Sequence, residues 1–222
     1  MPQPKTRASR AGRAALLACV TAAVAVVATA PPAGAAKKPK AVVRIAPGDV
    51  TVYKTGDAPD ALPADVQTAV MTALTGYLDA ATVKPLKQGT ADDAALGATL
   101  AAPVIARLTG ADRAVLVDEG LPKSVAKIKV TGTPVAMTGL ADDGGDVVVV
   151  TAKIDTTTTT KSAKGPLRIT RSGELVFEPD NGAWKITGYS LAVDRTGKGI
   201  KPTTTTTAPA APAAPTPITA AR

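Results

Sequence analysis

The sequence predicts an α+β domain, and three observations predict it. Apolar residues recur at helical spacing from Pro63 to about Asp118. From about Ser124 to Asp194 they alternate with polar residues at a period of two. The alternating runs are separated by turn clusters, Asp142-Asp143-Gly144-Gly145-Asp146 and Pro179-Asp180-Asn181-Gly182. Helices followed by a meander imply helices packed on one face of a curved antiparallel sheet.

The helical part begins at Pro63, a residue suited to a first helical turn. Val66, Val70, Leu74, Tyr77 and Leu78 then share one face of an amphipathic helix running to about Thr82. Thr90-Ala91-Asp92-Asp93 reads as an N-cap with acids in the first turn. Leu96, Leu100 and Val104 continue on one side, and Pro103 breaks this stretch into two short helices. Gly110 reads as a terminator, and residues 111–118 as a further helical turn.

In the alternating part, Ala126, Ile128 and Val130 interleave with Val125, Lys127 and Lys129. Val148, Val150, Ala152 and Ile154 share a face of a strand over 147–154. Leu167, Ile169, Leu175 and Phe177 lie opposite Arg168, Thr170, Glu174 and Glu178. In a last strand over 183–194, Trp184 and Ile186 have one parity and Tyr189, Leu191 and Val193 the other. The phase slips near Gly188, which predicts a β-bulge.

This order of elements, with a final hairpin reading GELVFEPDNGAWKITGYSLAVDR, resembles the NTF2-like superfamily of cone-shaped α+β domains, in particular exported members from high-GC bacteria. The resemblance covers residues 61–200. It leaves outside it a segment over 37–60 with Val42, Val43, Ile45, Val50, Val52 and Tyr53, read as an N-terminal extension. Enzymes of the superfamily commonly place an Asp with a His or Tyr in the cone. Here the resemblance puts Tyr77, Trp184 and Tyr189 near such a space and makes Tyr77 and Trp184 candidates for lining a pocket.

Residues 1–36 follow the plan of a secretory signal: Lys5, Arg7, Arg10 and Arg13, an uncharged apolar run over 14–30, then Pro31, Pro32 and the small residues 33–36. Cleavage after Ala35 or Ala36 is expected, which places the protein outside the cytoplasm, secreted or in the cell envelope. Two other readings compete: retention of the run as an anchor, against which Pro31, Pro32 and Gly34 argue, and a lipoprotein box at Leu16–Cys19, which has its apolar run on the wrong side. The Thr/Pro/Ala-rich tail over 201–222 is expected to be extended and disordered, and is a plausible acceptor for O-linked sugars.

Charge and composition exclude more than they assign. The net charge is +8, but the span 41–201 contains 18 basic and all 18 acidic residues, so the excess sits at the chain ends and nucleic-acid binding loses its support. Cys19, the one cysteine, lies in the leader, and histidine is absent throughout. Serine triads, zincin helices and cysteine nucleophiles therefore lack their parts. Ser124-Val-Ala-Lys127 and Lys54-Thr55-Gly56 match two motifs of penicillin-binding enzymes, but in reversed order and without the third. Asp142, Asp143 and Asp146 read as turn residues rather than calcium ligands, and Asp92-Asp93 and Asp118-Glu119 as solvated helix ends. The expectation is a non-catalytic domain, with no cofactor or metal, that binds a small apolar ligand or an envelope protein. The alternatives are an isomerase- or cyclase-type enzyme using an Asp/Tyr pair, with Asp79 its carboxylate candidate, and a wall-associated structural protein.

Overall fold

The computed structural model describes residues 39–53, 61–200 and 203–206. The leader, Lys54-Thr55-Gly56 and residues 207–222 of the tail lie outside the described residues. Two strands open the described chain, β1 (Ala41–Arg44) and β2 (Pro47–Tyr53). Five short or mid-length helices follow: α1 (Ala64–Leu78), α2 (Lys84–Gln88), α3 (Asp93–Gly97), α4 (Ala102–Ala106) and α5 (Gly110–Leu116). The rest is sheet: β3 (Ile128–Gly132), β4 (Val135–Ala141), β5 (Val147–Ser162), β6 (Gly165–Asp180), β7 (Ala183–Gly197) and β8 (Thr203–Thr206).

The α+β class holds, but the sheet is mixed rather than antiparallel. β3 to β8 run antiparallel to their neighbours, whereas β1 pairs parallel with β3 and β2 parallel with β4. The segment set apart as an extension thus supplies two strands of the eight-stranded sheet. β3 and β4 lie end to end along one edge of β5, which is long enough at 16 residues to pair with both. The break between them falls at Thr133-Pro134, where Pro134 can donate no ladder hydrogen bond. Thr133 N there donates to Asp155 O (3.1 Å) and Val135 N to Ala46 O (2.8 Å).

Three local readings need correction. The helix begun at Pro63 does not stop at Thr82 but passes through a π-helical turn, Asp79–Val83, into α2. Gly110 begins α5 rather than ending a helix, because α4 has already closed at Arg107. Residues 203–206 of the tail form β8, which continues the sheet beside Ala192–Arg195. The β-bulge is where the phase slip put it: Val176 pairs with Gly188 and Phe177 with Ile186, leaving Thr187 as the extra residue.

Helices α1, α4 and α5 pack across β7, and one continuous core joins the two layers. The free edge of β7 is covered at both ends. β8 covers the C-terminal half, and residues 99–101 cover the other through Ala101 N to Ile186 O and Ile186 N to Thr99 O, both 2.9 Å. That closure removes a long exposed strand edge, the usual nucleus of aggregation.

Candidate functional site

Charge in the layer between helices and sheet is concentrated on three side chains, Asp118, Arg171 and Arg195. Alternation along β6 turns Leu167, Ile169, Arg171, Leu175 and Phe177 inward, so Arg171 occupies a core position and is 2% exposed. Arg195 follows Tyr189, Leu191 and Val193 on the inward face of β7. Asp118 lies two residues past the end of α5. Its backbone N–H donates to Ala81 O (2.8 Å), a carbonyl that Pro85, four residues on, has no N–H to engage. The π-helical turn also places Thr82 in the core beside it.

The polar atoms of this cluster bond largely to one another. Asp118 Oδ1 accepts from Arg195 Nε (2.7 Å); Oδ2 accepts from Thr82 Oγ1 (2.6 Å) and Arg171 Nη2 (3.0 Å). Arg171 Nη1 donates to Thr82 Oγ1 (2.9 Å). Arg195 Nη2 reaches Ala114 O (2.7 Å) and Val117 O (3.3 Å), so the guanidinium also caps the C-terminal carbonyls of α5. Arg171 Nε makes no hydrogen bond, and its guanidinium carbon stands 5.7 Å from the centroid of the Tyr77 ring, within cation–π range. Burial alone would raise the Asp118 pKa, but the Arg171 and Arg195 charges overcome it and hold the carboxyl below its ordinary value. A carboxylate so engaged and 1% exposed has no approach route for general-base work. The cluster is a clamp between layers.

Tyr77 is fully buried beside the clamp, and its hydroxyl donates to Leu116 O (2.9 Å). Trp184 is half-buried against the core near the tip of the last hairpin. Tyr77 stands on α1 and Trp184 on β7, and neither lines the groove described below. Tyr77→Phe should cost about 1 kcal/mol, the usual net worth of one buried hydrogen bond, in urea unfolding. Tyr189 lies beside Asp112, and burial together with that carboxylate pushes its pKa up to about 12. Asp79 sits half-buried on the π-helical turn.

The remaining motifs resolve into structure. Ser124 is buried and bonded to Ala126 O (2.8 Å) and Thr160 Oγ1 (2.5 Å), whereas Lys127 is exposed. Asp142 Oδ1 accepts from Gly144 N (2.9 Å) and Asp146 N (3.0 Å), closing the turn. Asp92 caps α3 through Ala94 N and Ala95 N, as the sequence indicated. Asp118, in contrast to its reading as a solvated helix end, is 1% exposed. Glu119 is paired bidentately with Arg113. Among the described residues no group of three or more acids is placed to hold a metal ion.

No family model, curated protein or solved structure matches this chain. The chain's own surface must therefore supply the functional argument. A groove of about 660 Å³, open to solvent, runs between α1 and the kink joining β1 to β2. Ile45 and Pro47 form one wall, and Thr68, Met71, Thr72 and Thr75 the other. The three threonine hydroxyls donate back to Ala64 O, Thr68 O and Met71 O at 2.7–2.8 Å, which leaves mainly methyl surface facing outward.

Proposed function

We propose that this is an exported, non-catalytic NTF2-like domain that binds a segment of a cell-envelope protein in the groove beside α1. The observation that carries the reading is the groove itself: an apolar channel between two separate elements, with hydroxyls turned away from it. Small-molecule pockets enclose most of their ligand, and a channel this open suits a peptide segment better. Two features support the non-catalytic part. The carboxylate of the cluster richest in charge is held by three donors within that cluster, and histidine and a mature-chain cysteine are absent. The helical layer on one face and the bulged last hairpin support an NTF2-like cone; the two parallel N-terminal strands are this chain's addition. The leader supports export. Among the described residues no helix is long and apolar enough to cross a membrane.

A photo-crosslinker at Thr68 in the full chain, expressed in a host with a native-type envelope, should yield one discrete adduct. The same crosslinker at Asn181 on the far hairpin should not. Thr72→Arg should abolish the Thr68 adduct while shifting stability by no more than about 0.5 kcal/mol, as exposed substitutions do. Equal adducts from both positions, or none from Thr68, would overturn the reading.

A further inference from the structure

The formal neutrality of the domain conceals a separation of charge along its strands. β5 and β6 are each 16 residues long, so their ends lie up to about 50 Å apart along the strand. At one end stand Asp142, Asp143, Asp146, Glu178 and Asp180; at the other, Lys127, Lys129, Lys161, Lys164, Arg168 and Lys198. Arg44 joins the basic end through its pairing with Thr131. All seven basic side chains are exposed, and none forms an ion pair among the described residues.

Strand register arranges this end into rows on the sheet face away from the core. Lys129, Thr159, Arg168 and Thr196 are directly paired across four strands, and all four are exposed. The next row runs Arg44, Thr131, Thr157, Thr170 and Asp194. Three hollows of about 290, 300 and 310 Å³ lie along these rows: the first is lined by Arg44, Lys127, Lys129 and Thr131, the second by Thr131, Thr133, Thr157 and Asp155, and the third by Thr159, Thr160, Arg168 and Thr196. Cations flanking hydroxyl-lined hollows are complementary to phosphate groups spread over a surface.

We infer that this basic, threonine-studded face docks on the anionic headgroups of a phospholipid membrane. Two observations favour lipid over other polyanions. First, Ile128 N donates to Lys40 O (2.9 Å), so the chain enters the domain beside Lys127 and Lys129. Lys37 and Lys38 directly precede that point in the sequence and remain after cleavage of the leader. A basic segment of this kind adds to the attraction of an anionic lipid surface. Second, the rows contain no aromatic side chain on which a nucleic-acid base could stack.

The test is vesicle flotation of the full chain, comparing vesicles with 30% phosphatidylglycerol against pure phosphatidylcholine at about 0.1 M salt. Lys5, Arg7, Arg10 and Arg13 of the leader also favour the anionic vesicles, so the contribution of the sheet face is read from the variants below. Binding should be at least about tenfold tighter on the anionic vesicles, and the preference should vanish at about 0.5 M salt, where screening shortens its reach. Lys129→Gln with Arg168→Gln should weaken anionic binding about 25-fold, at about fivefold per charge removed. Lys87→Gln with Lys123→Gln, on the helical side, should not. Equal binding to both vesicles, or an undiminished preference in the Lys129/Arg168 variant, would overturn the inference. Displacement of the protein from vesicles by an equal phosphate concentration of a single-stranded oligonucleotide would overturn the lipid assignment in favour of a polyanionic chain.

Discussion

Asp118→Ala should destabilise the domain by about 3–5 kcal/mol, the cost of leaving buried charges without their counter-ion. Two guanidiniums, 2% and 7% exposed, would lose their common anion, and Thr82 its acceptor. For a domain of this size that corresponds to a melting temperature lower by roughly 10 °C. Urea unfolding should show a lower midpoint with an unchanged slope, because the surface exposed on unfolding is the same. Breaking a pair and replacing the whole cluster are different experiments. Substituting Asp118, Arg171 and Arg195 together with apolar residues of similar volume should recover most of the loss, since nothing charged is then left in the interior. A single substitution as costly as the triple one would show instead that Asp118 acts through packing alone.

The same carboxylate sets an acid limit. Its folded pKa lies below the ordinary aspartate value despite burial, because Arg171 and Arg195 favour the charged form more than desolvation opposes it. A depressed folded pKa contributes stability that is fully present above the unfolded value, near 3.9, and is lost as pH falls through the folded one. Unfolding midpoints of the parent chain should therefore fall steeply below pH 4. Those of Asp118→Ala should fall less steeply over the same interval.

The clamp was also the part of the molecule least legible in the sequence. The strand over 147–154 and the one carrying Leu167 to Phe177 announce themselves because Val150, Ala152, Ile154, Leu167, Ile169, Leu175 and Phe177 alternate cleanly and are all buried. The bulge at Gly188 is visible as a change of parity. Arg171 and Arg195 have the parity of those same buried rows, and that was the available signal. Reading alternation from apolar residues alone passes over them, because an arginine belongs in a core only with an anion to meet it. Its anion lies 53 residues away from Arg171 and 77 from Arg195, beyond any local pattern. Asp118 next to Glu119 has the look of a helix end in solvent, and for Glu119 the surface reading was closer. The N-terminal strands escaped for a similar reason: their partners β3 and β4 lie more than 80 residues on. In the tail, five consecutive threonines read equally as linker or strand until the edge of β7 selects one.

Gly173→Ala should be nearly as costly as loss of Asp118, at about 4 kcal/mol from backbone strain and overpacking together. Gly173 has φ +134°, a region that side chains other than glycine's rarely adopt, and an added Cβ would stand 2.0 Å from Ser190 O. The obstacle is the backbone of β7, which cannot retreat without opening the ladder between β6 and β7. That ladder pairs Arg171 with Val193 and Ile169 with Arg195, so it fixes the spacing at which both guanidiniums meet Asp118. Gly182, at φ +80° in the hairpin turn with nothing within 4 Å of a new Cβ, isolates the dihedral contribution. Gly182→Ala should cost only about 1 kcal/mol. If the strand spacing at Gly173 serves the clamp, Gly173→Ala and Asp118→Ala combined should destabilise by clearly less than the sum of the two. Strict additivity would mean that Gly173 serves the ladder alone, and that the clamp tolerates movement of the strands that carry it.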